Sequence, residues 1–330
     1  NRGGRFGRLC RGARRQPEVC CTDFEGITGV TCLDIVYRFD PLPPHGVDSP
    51  RTSRSALRQL AEGNRKFSSA ISKLQETAAG GCCDHQIVVP LNLATLGWPI
   101  TAGQTPDHHP FAVVLSCSDA RAPVEQIFNC DANDLFVVRV AGNVLGLECL
   151  ASVDYACLKL KKSLRAAVVL GHTGCGAVTA AVDMYLAPNG FMDIAYTHAM
   201  RSLLDRIMLA VRSASRALDD VLGSSDHFAP GYRDLLLTAS LYLNAALTAF
   251  DLQREIQSLG GREIAVVYSI YDLGNCRTSA RPGDNGDDAS SIFLPAPKDS
   301  KELGKLALQI AQEVVGARAP SSKKSGRRKR

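Results

Sequence analysis

The sequence predicts an α/β protein, with a central, mostly parallel β-sheet flanked by helices and with disordered basic termini. Three observations predict it. Short apolar, β-branched runs recur at 111–116, 135–140, 166–170 and 263–270, without the regular polar alternation of a half-solvated strand. Segments with apolar residues at helical spacing lie among them, the pattern of strands joined by helical crossovers. Charge collects at the ends: residues 1–15 carry six arginines and 320–330 carry six Lys or Arg, with no acid in either stretch.

In chain order, residues 1–50 show no sustained period, and "FDPLPPHGVDSP" reads as a linker ending in turn residues. We therefore divide the chain into a basic segment and linker at 1–52, a folded domain at 53–318 and a basic tail at 319–330. "SRSALRQLAEGNRKF" offers a serine cap, then Leu57, Leu60 and Ala61 at helical spacing and Phe67 further on, so an amphipathic helix opens the domain. "TAAGGCCDHQ" after it reads as a loop. The strand runs follow, with helical patterns at 147–161, 176–186, 198–222, 233–259 and 300–316. Strands apolar on both faces belong to a parallel sheet covered by helices, and such sheets carry their functional groups just past the strands' C-terminal ends.

Composition narrows the function classes. Removing the twelve terminal cations from 38 leaves 26 against 33 acids, so the body is acidic and the net +5 belongs to the ends. Such ends are expected to be solvated, with an acidic partner as the alternative role. We expect no membrane span, since even "LLLTASLYLNAALTAF" falls short of the roughly 18–20 apolar residues required and contains Asn244. Twelve cysteines, several in apolar runs, read as reduced thiols rather than as a disulfide scaffold. The first residue is Asn, as expected of a fragment or a processed chain. The arginine-rich start loosely resembles a transit segment but lacks serine and a secretory apolar stretch, which constrains localisation only weakly; a cytoplasmic protein is expected, with an organelle or microcompartment as the alternative.

The chemistry lies at two strand ends. Run 111–116 leads into "SCSDAR", which holds Cys117, Asp119 and Arg121; run 166–170 leads into "GHTGCG", which holds His172 and Cys175. A strand-end cysteine alone is usually a small hydrophobe, and a lone H-x-x-C is equally unspecific. In a parallel sheet, however, both segments reach the same rim. Two thiolates and one imidazole converging there make a ligand set that zinc favours, with a fourth position left open.

"CSDAR", "NDLFVVRVAGN" and "GHTGCG", in this order and spacing, resemble the β-class carbonic anhydrases, as "AEGNRKF" resembles that family's N-terminal helix. The likeness covers about residues 53–275. It implies a homodimer or an assembly of dimers and the reversible hydration of carbon dioxide to bicarbonate and a proton. It also implies Zn2+ on Cys117, His172 and Cys175, lowering the pKa of a bound water so that hydroxide attacks the carbon. The resemblance further implies that Arg121 pairs with Asp119 and holds it as acceptor for that water, and that Asp119 takes the fourth zinc position in a closed form. Gln104 in "GQTP" resembles a substrate-pocket glutamine, although "DHHP" lengthens the connection to the strand. Gly142, Asn143 and Gly176 complete the implied substrate pocket.

Two stretches depart from the family's pattern. Its "RNAGN" reads Arg139-Val140-Ala141-Gly142-Asn143 here, and its later "YDxxTG" reads Tyr271-Asp272-Leu273-Gly274-Asn275-Cys276, which bears on the C-terminal strand pairing. His108, His109 and His198 are expected to be surface histidines, with proton relay the alternative. Carbonyl sulfide or carbon disulfide is an alternative substrate, and a zinc-binding scaffold recruited through its basic ends is an alternative function.

Overall fold

The computed structural model describes residues 33–40, 49–78, 85–92, 103, 105–190, 196–223, 227, 229–261, 263–284, 286 and 289–318. Gln104, most of the basic first segment and the basic tail lie outside the described residues. The chain opens with strand β1 (Leu33–Asp40) and helix α1 (Ser53–Ala78), followed by β2 (His85–Asn92). Strands β1 and β2 pair in parallel as a separate two-stranded sheet. This corrects two expectations: a strand lies inside the segment read as aperiodic, and "TAAGGCCDHQ" ends in strand at His85 and Gln86.

The main sheet is built from β3 (Ala112–Ser116), β4 (Leu135–Arg139), β5 (Ala166–His172), β6 (Ala265–Tyr271) and β7 (Thr278–Ser279). Their order is β4-β3-β5-β6-β7, and β8 (Leu294–Pro295) also pairs with β6. Strands β3 to β6 are parallel; β7 and β8 join β6 antiparallel. The departure at 271–276 does not cost the C-terminal pairing, because Tyr271 faces Thr278 across a turn. That turn is closed by Asp272 N–H donating to Arg277 O at 2.8 Å and Cys276 N–H donating to Asp272 O at 2.8 Å.

Every residue of β3 and β5 is buried, as two-sided apolar runs require. Period two divides them between two cores. Val113, Leu115 and Val169 face the layer of α3 (Leu147–Lys159), α4 (Gly176–Leu186), α5 (His198–Leu222), α6 (Tyr232–Ser258) and α8 (Ser300–Arg318). Val114, Val168 and Leu170 face α1 and two short helices, α2 (Val124–Ile127) and α7 (Ala289–Ile292). By length and composition α6 could cross a membrane, but 67% of its most apolar window is buried in the protein, the setting of a core helix.

Helix α1 is capped by Thr52 rather than by the serine expected. Ser55 N–H donates to Thr52 Oγ1 and Thr52 N–H to Ser55 Oγ, each at 3.1 Å, a reciprocal capping box. The helix is fastened at Gly63-Asn64. Asn64 Nδ2 donates to Ile127 O and Cys276 O at 3.1 Å each, and its Oδ1 accepts from Thr278 N at 2.9 Å. Gly63 lies against the end of α2 so closely that a Cβ there would stand 1.7 Å from Phe128 O.

Beside α2, burial pushes the Asp134 carboxyl up to about 6, against the opposing hydrogen bond from Asp131 N–H at 2.9 Å. The folded chain then binds more protons than the unfolded one between about pH 4 and 6, so this group's contribution makes stability fall as pH rises through that window. Asp134→Asn is expected to remove this dependence and to gain about 2–3 kcal/mol over the parent at pH 7. Denaturant melts of both proteins from pH 4 to 7 check it; parallel curves would refute it.

Candidate metal centre

The sheet register builds the site. Ser116 ends β3 opposite Leu170 of β5, and Cys117 follows as the chain leaves the sheet. His172 is the last residue of β5, two residues further into the strand than the sequence pattern indicated. The chain then turns at Gly174 (φ 66°) and places Cys175 at the N-cap of α4. A left-handed residue is needed at that turn, and glycine meets the need without strain.

The ligand atoms of Cys117, His172 and Cys175 all lie within 4.8 Å of one another, and each residue is at most 5% exposed. The two sulfurs are 4.0 Å apart. Tetrahedral zinc with Zn–S bonds of about 2.3 Å would separate two sulfurs by about 3.8 Å, so the pair fits the ion. His172 Nδ1 lies 2.9 Å from Thr173 O, the bond that leaves Nε2 as the free nitrogen. Nε2 is buried without a hydrogen-bond partner in the protein, an arrangement that a metal would satisfy.

The two thiols are close enough to share a hydrogen bond. The neighbouring Cys175 thiol pulls Cys117 down, with the His172 imidazole and the N–H groups of Asp119 and Gly142 adding to the effect against burial. The same bond, with burial, pushes Cys175 up. Burial opposes charge on His172, but the Cys117 sulfur close by, the Thr173 carbonyl on Nδ1 and the Asp119 carboxylate together outweigh it and raise the imidazole. A cation taking the proton's place between the sulfurs is the chemistry this donor set invites.

Asp119 and Arg121 sit at the edge of the cluster. Arg121 grips the carboxylate with Nε to Oδ1 at 2.9 Å, NH2 to Oδ2 at 2.6 Å and its main-chain N–H to Oδ1 at 2.9 Å. These bonds hold the Asp119 carboxyl well below the usual carboxylate range. Asp119 Oδ2 is 3.9 Å from His172 Nε2.

Of the other expected residues, Gly142 and Asn143 lie in the 3-10 turn Ala141–Asn143, and Gly142 N–H donates to Cys117 Sγ at 3.4 Å. Gly176 opens α4 with no atom within 4 Å of where a Cβ would be. The histidines stay apart from the cluster: His108 stacks on Phe136, His109 approaches Asp107 at 3.6 Å, and His198 is exposed at the start of α5. Cys117, Cys130, Cys149, Cys157, Cys175 and Cys276 are free thiols.

Sequence reasoning missed three contributors. Arg139, quoted only as part of "RVAGN", donates from Nε to Cys117 O at 3.0 Å and from NH2 to Asp119 O, so one guanidinium straddles the turn carrying both residues. Thr173 Oγ1 donates to Asp272 Oδ1 at 3.2 Å and accepts from Leu273 N at 3.0 Å, tying the histidine loop to the end of β6. Asn244 donates to Gly142 O at 2.8 Å; a lone amide in an apolar helix was its signal.

A mostly parallel sheet flanked by helices, whose rim holds a buried Cys-His-Cys cluster beside an Asp–Arg pair, defines an α/β protein with a candidate metal site. Residues 112–227 match the sequence model of the family described as carbonic anhydrase. A carbonic anhydrase of Mycolicibacterium smegmatis is 32% identical over 191 residues, spanning 56% of this chain and 82% of that protein. Carbonic anhydrase 2 of Mycobacterium tuberculosis is 30% identical, over 54% of this chain and 78% of that protein. Among solved structures, a Coccomyxa beta-carbonic anhydrase in complex with acetazolamide aligns over 80% of this chain and 98% of that one, at 18% identity and a TM-score of 0.44. This chain belongs to the β-class carbonic anhydrase family of enzymes.

Proposed function

We propose that this chain hydrates carbon dioxide reversibly to bicarbonate and a proton, using zinc held by Cys117, His172 and Cys175. The observation that carries the reading is the buried, unpartnered His172 Nε2 aimed among two sulfurs 4.0 Å apart. When bound, zinc supplies a Lewis acid that acidifies water and so provides a nucleophile at neutral pH. The remaining work falls to the chain's own residues.

Asp119 stays ionised and is the hydrogen-bond acceptor beside the cluster, oriented by the two-pronged grip of Arg121. Gly142, Asn143 and Gly176 shape the substrate space. Asn143 supports this with a buried Nδ2 that has no acceptor in the protein, a donor available to a substrate oxygen. Residues 53–318 form the catalytic domain. The enzyme works as a homodimer: Leu147, Tyr155 and Leu158 stand 74%, 52% and 52% exposed on one face of α3, beside the edge strand β4, a surface for a second copy.

The test is zinc content together with carbon dioxide hydration by stopped flow on the purified chain and on Arg121→Ala. About one zinc per chain and measurable hydration are expected of the parent. Arg121→Ala should keep its zinc and fall about 100-fold or more in turnover, because the freed Asp119 carboxylate is no longer held as acceptor and can turn toward the ligands 3.9 Å away. A metallated Arg121→Ala with nearly full turnover would make the pair a surface ion pair only.

A further inference from the structure

Along α6 every residue from Leu241 to Ala246 is buried, and Asn244 among them is 3% exposed. An amide in that setting is costly to bury unless it is hydrogen-bonded, whereas an apolar side chain would suit the helix better. The bond it makes leaves the helix: Nδ2 donates to Gly142 O at 2.8 Å. Gly142 N–H in turn donates to Cys117 Sγ at 3.4 Å. Gly142 is left-handed, with φ 68° and ψ 13°, and a Cβ there would stand 2.7 Å from Ile207 Cδ1 and 3.1 Å from Ala177 Cβ. The residue is therefore confined by α5 and α4 at its Cα, by Asn244 at its carbonyl and by the sulfur at its N–H.

We infer that Asn244 is a positioning residue for Cys117, fixing Gly142 so that its N–H stays on the sulfur. A hydrogen bond to a ligating thiolate directs its lone pairs and draws off part of the charge it gives a metal. Without Asn244 the Gly142 carbonyl loses that donor, the 3-10 turn loosens, and the sulfur loses a fixed donor. The inference rests on the reading of Cys117 as a zinc ligand.

The test uses the full zinc-loaded chain, Asn244→Leu and Ser240→Ala. Ser240 lies one turn earlier on the same helix, fully buried with a hydroxyl that has no hydrogen-bond partner in the protein, and it has no link to Gly142. Two readouts apply: the rate of zinc release to a chromogenic chelator, and the thiolate-to-metal charge-transfer band of the cobalt(II)-substituted protein. Asn244→Leu is expected to release zinc about 10–100-fold faster and to shift the band, with Ser240→Ala matching the parent. Folded Asn244→Leu with parental release and band would overturn the inference. Should that variant fail to fold, Asn244→Ser, whose hydroxyl is too short to reach Gly142 O, carries the same readouts and outcomes; loss of fold in both leaves Asn244 a purely structural residue and overturns it too. A parent chain that takes up no zinc would overturn the underlying reading instead.

Discussion

Cys175→Ser loses most of its zinc and nearly all of its turnover, while the sheet stays folded: this is the largest effect on activity expected. Cys175 is 1% exposed and N-caps α4, with its sulfur 4.0 Å from that of Cys117. Serine keeps the cap position but offers an un-ionised hydroxyl where zinc requires a soft thiolate. Loss of a direct ligand should exceed the roughly 10–100-fold that an outer-shell partner contributes to metal affinity. Zinc per chain by mass spectrometry and hydration by stopped flow measure it. Full occupancy with full turnover would remove the site.

The largest effect on stability is expected at Gly63. Helix propensity alone would make Gly63→Ala stabilising by about 1 kcal/mol, because this glycine sits inside α1. The structure reverses the sign. The added Cβ would stand 1.7 Å from Phe128 O, a main-chain atom that no rotamer change can move, and 2.6 Å from Phe128 C. Helix α1 would have to lift away from α2, and Asn64, the next residue, would lose its bonds to Ile127 O and Thr278 N. The cost should reach or exceed the upper end of the roughly 1–3 kcal/mol typical of overpacking. That corresponds to a fall of about 10 °C in Tm. Gly304→Ala and Gly316→Ala in α8, where nothing lies within 4 Å of the new methyl, are expected to stabilise instead. A thermal melt in which all three variants move the same way would contradict the packing argument.

Both sets of residues were legible in the sequence to different depths. The apolar runs at 111–116 and 166–170 announced β3 and β5 because strands buried on both faces need no alternation, and their order put Cys117 near His172 before any coordinates. The "EGN" of α1 was equally visible, but its reason was not: a glycine's need is set by the Phe128 carbonyl, 65 positions away in the sequence. Strand β1 was missed although Leu33, Ile35, Tyr37 and Phe39 alternate with other residues in the period-two manner, because one short run amid arginines and prolines gave no partner for it. Arg139 and Asn244 were hidden differently. Their bonds go to main-chain oxygens of other elements, and no side-chain spacing encodes where a carbonyl will point.

The Cys-His-Cys cluster is split unevenly along the chain. His172 and Cys175 are three residues apart on one loop, whereas Cys117 is 58 residues before Cys175 and arrives only through the pairing of β3 with β5. A local His-Cys pair can hold a metal weakly in an unstructured chain, but the third ligand requires a long loop to close first. Full-affinity binding therefore waits on the central sheet. A metal held there would act as a lock on an assembled rim rather than a nucleus around which the chain condenses, and the free energy of its capture would be delivered to the pairing of β3 with β5.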